Sequence, residues 1–102
     1  MTSADVIIRN GTVIDGTGAA AVRADVAVSN DRITAVGDLG AMSASTDIDA
    51  QDQVVAPGFI DVHTHDDRYL FTHPDMAPKA SQGVTSVVVG NCGFSLAPWK
   101  NY

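Results

Sequence analysis

The residues best suited to chemistry are two histidines separated by one threonine, His63 and His65. They lie at the end of a segment, residues 59–63, that is typical of a β-strand buried on both faces. Because residues i and i+2 of a strand point to the same side, both imidazoles are expected to project into one space. Two imidazole nitrogens at about 2.0–2.1 Å from one ion make half of a Zn²⁺ site.

A carboxylate and a thiol extend this candidate site. Asp61 lies two residues before His63, where it could accept a hydrogen bond from an imidazole N–H and so select the tautomer. Cys92 follows a β-branched strand at residues 84–89. If the two strands are parallel neighbours, their carboxyl ends lie at the same edge of the sheet, where α/β folds bind ligands. A thiolate is a soft ligand that favours Zn²⁺ over Mg²⁺ or Ca²⁺.

Each of these residues also has an interpretation without a metal. An isolated His-x-His pair is often an ordinary surface or core pair, and a single cysteine is more often a small buried hydrophobic residue. Asp66 and Asp67 are typical of solvated loop charges, although beside a metal pair they could orient a substrate. His73 is expected in a loop and Lys79 on a helix face.

Composition and charge exclude several classes of partner. The chain has 102 residues and a formal net charge of −6, and its six basic residues are scattered. Nucleic acids and anionic membranes attract basic patches, so neither is an expected partner. The N-terminus lacks the pattern of a secretory signal, and no run reaches the about 18–20 apolar residues that span a bilayer. The single cysteine fits a reducing compartment, and we expect a cytoplasmic protein.

The elements that must position these residues differ along the chain. Residues 1–56 predict short strands separated by turn residues, as in a small antiparallel sheet or a β-sandwich. A loop is predicted at residues 38–46. Hairpin turns are predicted at Asn10-Gly11 and at Asn30-Asp31.

Residues 57–102 predict the start of an α/β domain. A polar loop and a short helix at residues 74–82 are expected between the two apolar strands, with Pro74 at the helix start, Gly83 after its end and Pro78 as a kink. Strand, helix and strand form a βαβ unit, which cannot bury both faces of its own sheet. Further strands are therefore expected as neighbours, and Trp99 and Tyr102 are expected to pack on them.

Several stretches together resemble a known family. Residues 57–65 (PGFIDVHTH) are similar to the first barrel strand of the amidohydrolase superfamily, the metal-dependent (β/α)8 hydrolases. The segments IIRNGTVIDGTG and DRITAVG resemble that superfamily's N-terminal β-sandwich segment. His65-Asp66-Asp67 and GVTSVVVGNCGFSLAP resemble the N-acyl-D-amino-acid deacylases, also called D-aminoacylases.

The resemblance implies a fold and a set of ligands. The fold is a β-sandwich segment at residues 1–56, followed at residues 57–102 by the first two strands of an incomplete TIM barrel. The implied zinc ligands are His63, His65 and Cys92, with the cysteine in place of the carboxylated lysine of many relatives. Asp61 is expected to support these ligands. The residues expected near the substrate are Asp66, Asp67 and Asn91.

The implied reaction is hydrolysis of a small N-acyl-D-amino acid to a carboxylate and a free D-amino acid. Two further histidine ligands and the general-base aspartate are expected from later strands of a fold of about 250 residues. We therefore expect a fragment that is inactive alone and contains no general base. One alternative is a cyclic-amide hydrolase of the dihydroorotase or hydantoinase type, against which the Asn-Cys-Gly sequence argues. Another is a small non-catalytic β-rich module, whose exposed strand would promote self-association.

Overall fold

A computed structural model of the protein describes residues 3–96. The chain divides into two compact units, residues 1–57 and residues 58–102. The first unit is a five-stranded sheet, and the second contains a two-stranded sheet with two short helices. The β-rich character predicted for the first half is confirmed. The expectations for Trp99 and Tyr102 concern positions outside the described residues.

The sheet of the first unit is built around β1 (Ser3–Val13). β2 (Val22–Ser29) pairs antiparallel with β1, and β3 (Arg32–Gly37) pairs antiparallel with β2. β4 (Ser43–Asp49) and β5 (Val54–Val55) both pair with β1 in the parallel sense. The sheet is therefore mixed. The expected antiparallel pairing is wrong for these two strands, because after β3 the chain crosses to the opposite edge of β1 instead of forming another hairpin.

The Asn10-Gly11 pair lies inside β1 and does not form the predicted hairpin turn. Asn10 has a φ of 61°, and the register of β1 against β2 shifts between Ile8 and Gly11, which identifies a β-bulge. The Asn10 N–H donates to Asp25 Oδ1 at 2.9 Å. A Cβ on Gly11 would lie 2.5 Å from Val55 Cγ2. Asn10 therefore adopts the left-handed conformation of the bulge, and Gly11 allows the close approach of β1 and β5.

The predicted loop at residues 38–46 is shorter than expected, since β4 already begins at Ser43. Ile7 and Ala27, at the centre of this unit's core, have no exposed surface. Leu39 and Met42, within the predicted loop, pack against that core. These apolar side chains explain why the segment is ordered and leads directly into a strand.

The second unit pairs β6 (Phe59–Thr64) with β7 (Val84–Val89). The two strands are parallel, with Phe59 opposite Val84 and Thr64 opposite Val89, which confirms the predicted pairing. A Cβ on Gly58 would lie 2.0 Å from Thr85 Oγ1, so glycine is required where the chain enters β6. Because the strands are parallel, their carboxyl ends lie at one edge of this sheet.

Two helices connect these strands, and both differ from the prediction. α1 (Asp67–Thr72) occupies the expected polar loop, where Leu70 N–H donates to Asp66 O at 2.9 Å. α2 (Ala77–Ala80) begins after the predicted start at Pro74 and is a single turn. Pro78 lies in its first turn, where a missing N–H removes no helical hydrogen bond. No helix in the described residues is long and apolar enough to cross a membrane.

Candidate functional site

The carboxyl end of β6 carries Asp61 and His63, and His65 follows directly. The His63 backbone N–H donates to Asp61 Oδ1 at 3.2 Å. Asp61 thus contacts the main chain of the His-x-His segment, whereas the sequence predicted a contact to an imidazole N–H. Thr64, between the histidines, is buried, while both histidines are exposed. Both imidazoles are therefore accessible at the end of the strand.

Cys92 and His65 approach each other although 27 residues separate them in the chain. The Cys92 Sγ lies 3.1 Å from His65 Nε2 and 3.7 Å from His65 Nδ1. The loop after β7 is held in place by Asn91, whose Nδ2 donates to Val62 O on β6 at 2.8 Å. Gly90 has a φ of 80°, a left-handed conformation that allows the chain to turn back after β7. The predicted meeting of the two strand ends thus places a thiol beside an imidazole.

The donor atoms of this pair fit a zinc ion. Imidazole nitrogen and thiolate sulfur are the ligands that Zn²⁺ prefers in proteins. In residues 3–96, however, no three His, Cys, Asp or Glu side chains form a cluster that could hold a metal. The structure therefore brings together His65 and Cys92, and the assignment of His63, His65 and Cys92 as zinc ligands stays a prediction.

Lys79 was not predicted to take part in this site. Its Nζ lies 2.5 Å from Asp61 Oδ2 and 3.0 Å from Asp66 Oδ2. The sequence offers only a weak signal for this cluster, a single lysine that lies 18 positions after Asp61 and 13 positions after Asp66. The short α2 turn places Lys79 beside β6, and a helix of that length and position is not evident from the sequence.

The hydrogen bonds in this cluster shift the pKa values of all three groups. Lys79, and then the His63 backbone N–H, lowers the pKa of Asp61. The Thr64 hydroxyl, and then Lys79, lowers the pKa of Asp66. Asp61, and then Asp66, raises the pKa of Lys79. Two carboxylates and one ammonium group are therefore charged together near neutral pH, with a net charge of −1.

Asp67 and His73 lie at the two ends of α1. Asp67 Oδ2 accepts a hydrogen bond from the Leu96 backbone N–H at 2.7 Å, which ties α1 to the segment after Cys92. His73 is the C-cap residue of the helix, and its ring stacks on that of Tyr69 with the centroids 4.3 Å apart. Asp67 thus organises the loops at the carboxyl ends of the strands.

An apolar groove of about 500 Å³ lies along β7. Its walls include Leu70, Phe71 and Met76, and Lys79 reaches it from α2. The residues that line it do not include His65 or Cys92. Within the described part of the chain, the groove and the thiol–imidazole pair are therefore separate features.

Comparisons with known proteins identify the family of this chain. Residues 47–101, more than half of the chain, match the model of the amidohydrolase family. D-aminoacylase of Alcaligenes xylosoxydans xylosoxydans is 57% identical over 94 residues, which are 92% of this chain and 19% of that protein. This chain therefore spans about a fifth of the length of that relative.

Two solved structures are also similar. One is a D-aminoacylase studied for its binuclear metal centre, with a TM-score of 0.89 and 62% identity over 96% of this chain and 21% of that one. The other is N-acyl-D-glutamate deacylase from Bordetella bronchiseptica, complexed with zinc and a phosphonate inhibitor that mimics the tetrahedral intermediate. It has a TM-score of 0.90 and 54% identity over 95% of this chain and 20% of that one. These findings confirm the resemblance to the D-aminoacylases, and the chain belongs to the amidohydrolase family.

Proposed function

We propose that this chain is the N-terminal part of a zinc-dependent enzyme that hydrolyses the amide bond of N-acyl-D-amino acids. The products are a carboxylate and a free D-amino acid. The observation that carries this proposal is the distance of 3.1 Å between Cys92 Sγ and His65 Nε2, at the end of a parallel strand pair. The identity of 57% to a D-aminoacylase supports the choice of substrate class.

His63, His65 and Cys92 would hold the ion. The two histidines come from the end of β6, and Cys92 comes from the loop after β7. Asp61 fixes the backbone at His63, and Asn91 fixes the cysteine loop against Val62. The chemistry that Zn²⁺ supplies in such a site is polarisation of an amide carbonyl and acidification of water.

We also propose that residues 57–102 begin a (β/α)8 barrel. The parallel pairing of β6 and β7 through a helical connection is the repeating unit of that fold. Phe59, Ile60 and Val62 of β6 are each more than half exposed in this chain. Neighbouring barrel strands and helices would cover such side chains, as the similarity to complete deacylases suggests.

Asp66, Asp67 and Asn91 are proposed to lie near a small substrate in the cytoplasm. Asp67 and Asn91 hold the loops around the site through backbone groups. The general base and the remaining ligands are expected outside these 102 residues. Hydrolysis requires water, substrate and proton acceptor to be positioned together, so the chain alone is proposed to be inactive.

The first test is the zinc content of the purified chain, measured by elemental analysis. Cys92→Ser and the double variant His63→Ala/His65→Ala should both lose zinc. His73→Ala is the matched control, because it removes the third histidine of the chain and should keep zinc. If Cys92→Ser binds zinc like the wild type, the cysteine is not a ligand and the cyclic-amide hydrolase alternative gains support.

A chimera tests the activity. Residues of this chain replace the matching 94 residues of the Alcaligenes D-aminoacylase, and hydrolysis of N-acetyl-D-leucine is measured. The chimera should be active. Cys92→Ala should reduce its activity by more than the roughly 10–100-fold that follows loss of a residue supporting a metal ligand. A folded chimera that is inactive with zinc bound would contradict the proposal, and His73→Ala is again the control.

A further inference from the structure

Two aspartates bracket the His-x-His segment in the sequence. Asp61 precedes His63 by two residues, and Asp66 follows His65 directly. In the structure both carboxylates converge on a single ammonium group, with Asp61 Oδ2 at 2.5 Å and Asp66 Oδ2 at 3.0 Å from Lys79 Nζ. One lysine therefore joins the two ends of the segment.

Each aspartate also contacts a different part of the segment. Asp61 Oδ1 accepts the backbone N–H of His63 at 3.2 Å. The side chain of Thr64, which is only 6% exposed, lies close enough to Asp66 to lower the pKa of that carboxyl group. The His63 backbone N–H thus bonds to one carboxylate and the Thr64 side chain neighbours the other, and the two carboxylates share Lys79.

The environment of Asp66 favours a positive charge beside it. Asp66 Oδ2 is inaccessible to solvent, and a carboxylate oxygen removed from water must be compensated by a donor or a charge. The ammonium group of Lys79 is the opposite charge beside it. Without Lys79, two carboxylates would face each other and repel, which would weaken the contact that each makes to the segment.

The backbone around α2 is shaped to place this side chain. Met76 has a φ of 47°, in the left-handed region, and begins the helical turn that carries Lys79. The turn is closed by the Lys79 N–H, which donates to Met76 O at 2.9 Å. Phe59 N–H donates to Gly83 O at 2.8 Å, which fixes the chain after α2 to the start of β6.

We propose that Lys79 is a positioning residue that holds His63 and His65 in place through Asp61 and Asp66. Its consequence for zinc rests on the function proposed above, whereas its effect on the segment does not. Lys79 has no role in this proposal as a ligand or as a reacting group. It acts through the two carboxylates, and its loss should loosen the backbone that carries both imidazoles.

Electrostatics alone makes the opposite prediction for zinc. Replacing Lys79 by methionine removes one positive charge near the ligands, so Coulomb attraction alone would strengthen cation binding. Loss of positioning should instead weaken it by about 10–100-fold, the cost of removing a residue that orients a metal ligand. The sign of the change therefore separates the two effects.

The experiment measures backbone amide hydrogen exchange of the full chain, without metal, for Lys79→Met and Lys79→Arg. The exchange of the His63 amide should be at least about tenfold faster in Lys79→Met, since a lost hydrogen bond exposes the amide. Lys79→Arg keeps a cation that can pair with two carboxylates and should stay near the wild-type rate. Zinc affinity, measured by competition with a chromophoric chelator, should follow the same order.

Two control variants remove related features. Gln82→Ala removes the hydrogen bond from Gln82 Nε2 to Pro78 O and so loosens α2 without touching the carboxylates. Arg32→Met removes one positive charge from an exposed side chain in the first unit. Neither should change exchange at His63 or the zinc affinity.

Three outcomes would overturn the proposal. One is unchanged His63 exchange in Lys79→Met. The second is zinc binding that is equal or tighter in that variant. The third is equally accelerated exchange throughout β7, which would assign Lys79 to the general stability of the unit. If the wild type holds no zinc, the ligand set proposed above loses its support in this chain, while amide exchange still decides the role of Lys79.

Discussion

The two units of this chain bury their apolar side chains very differently. The buried hydrophobic residues among those described all belong to the first unit: Ala4, Ile7, Val26, Ala27 and Ala50. Among the described residues of the second unit, the buried side chain is that of Thr64, which is polar, and Phe71 is 78% exposed. The first unit therefore has a core of its own, whereas the unit that carries the candidate ligands does not bury the apolar surface of its strands.

This difference separates the unit with a hydrophobic core from the unit that carries the candidate ligands. Hydrophobic burial is the main favourable term in folding, so the first unit is expected to be the more stable one. The candidate ligands of the second unit are instead placed by polar contacts: His63 to Asp61, Asn91 to Val62, and Lys79 to two carboxylates. Such contacts orient groups well but stabilise a fold weakly when exposed to water.

The largest effect should come from the core of the first unit. Ile7→Ala removes a fully buried side chain and should lower the free energy of unfolding by about 2–5 kcal/mol, measured by urea denaturation. Ile60→Ala, at a side chain 63% exposed in the second unit, should cost about 0.5 kcal/mol or less. Ile33 is 69% exposed in the first unit, so Ile33→Ala is the control for removing an exposed isoleucine there and should also cost little. Equal costs for Ile7 and Ile60 would remove the contrast between the units.

Bound zinc should stabilise the second unit and so reduce the difference in stability between the two units. A ligand that binds only the folded state at 100 times its Kd raises the free energy of unfolding by about 2.7 kcal/mol. Hydrogen exchange with and without a chelator should show this protection in β6 and β7 and no change in β1. Cys92→Ser should abolish the difference. Zinc-dependent protection spread equally over both units would contradict a site confined to the second unit.

Two glycines allow matched steric tests of the units. Gly11→Ala would bring a Cβ within 2.5 Å of Val55 Cγ2, and Gly58→Ala would bring one within 2.0 Å of Thr85 Oγ1. Each should lower stability by about 1–3 kcal/mol, a typical cost of overpacking, but in different units. Thermal unfolding gives the size of each effect, and hydrogen exchange gives its location.

The glycine test has an internal control. Combining Gly11→Ala with Val55→Ala removes the colliding methyl group and should recover part of the lost stability. If the losses in free energy of unfolding from Gly11→Ala and Val55→Ala simply add in the double variant, the two sites do not interact. The close approach of β1 and β5 is then not what requires glycine.

The smallest expected effect is a change of pKa in the first unit. The Asn10 side chain, and then the Gln51 backbone N–H, lowers the pKa of Asp49. Asn10→Gly keeps the positive φ of the bulge but removes the amide, so the pKa of Asp49 should rise towards its usual value. Nuclear magnetic resonance titration measures this shift, and the pKa of Asp15, lowered by Thr17, should not move.

The sign of the linked stability follows from this direction. A carboxylate whose pKa is lower in the folded state stabilises the fold above its unfolded pKa, and the contribution is lost as pH falls through the folded pKa. Asn10→Gly should therefore reduce the fall in stability between neutral and acidic pH. An unchanged acid titration of Asp49 would show that the hydrogen bond at 3.2 Å between Asn10 Nδ2 and Asp49 Oδ1 is not maintained in solution.

Local sequence signals predicted local structure well where the signal was compatible with only one backbone conformation. The β-branched run at residues 84–89 forms β7 with the predicted bounds, and Asn30 has the left-handed φ of the predicted turn. Asn10-Gly11 carries an equally strong turn signal but forms a bulge, because the strand continues on both sides to pair with β2. A signal for unusual backbone geometry does not specify whether the chain reverses there.

The sequence by itself determined the family and the two strand ends, and it supplied the candidate zinc ligands, because these depend on residue type and short spacing. Tertiary structure alone decided that β4 lies parallel to β1, that His65 and Cys92 meet, and that Lys79 joins Asp61 to Asp66. These are relations between residues far apart in the chain. They depend on the path of the backbone through bulges and short helical turns, which no short stretch of sequence specifies.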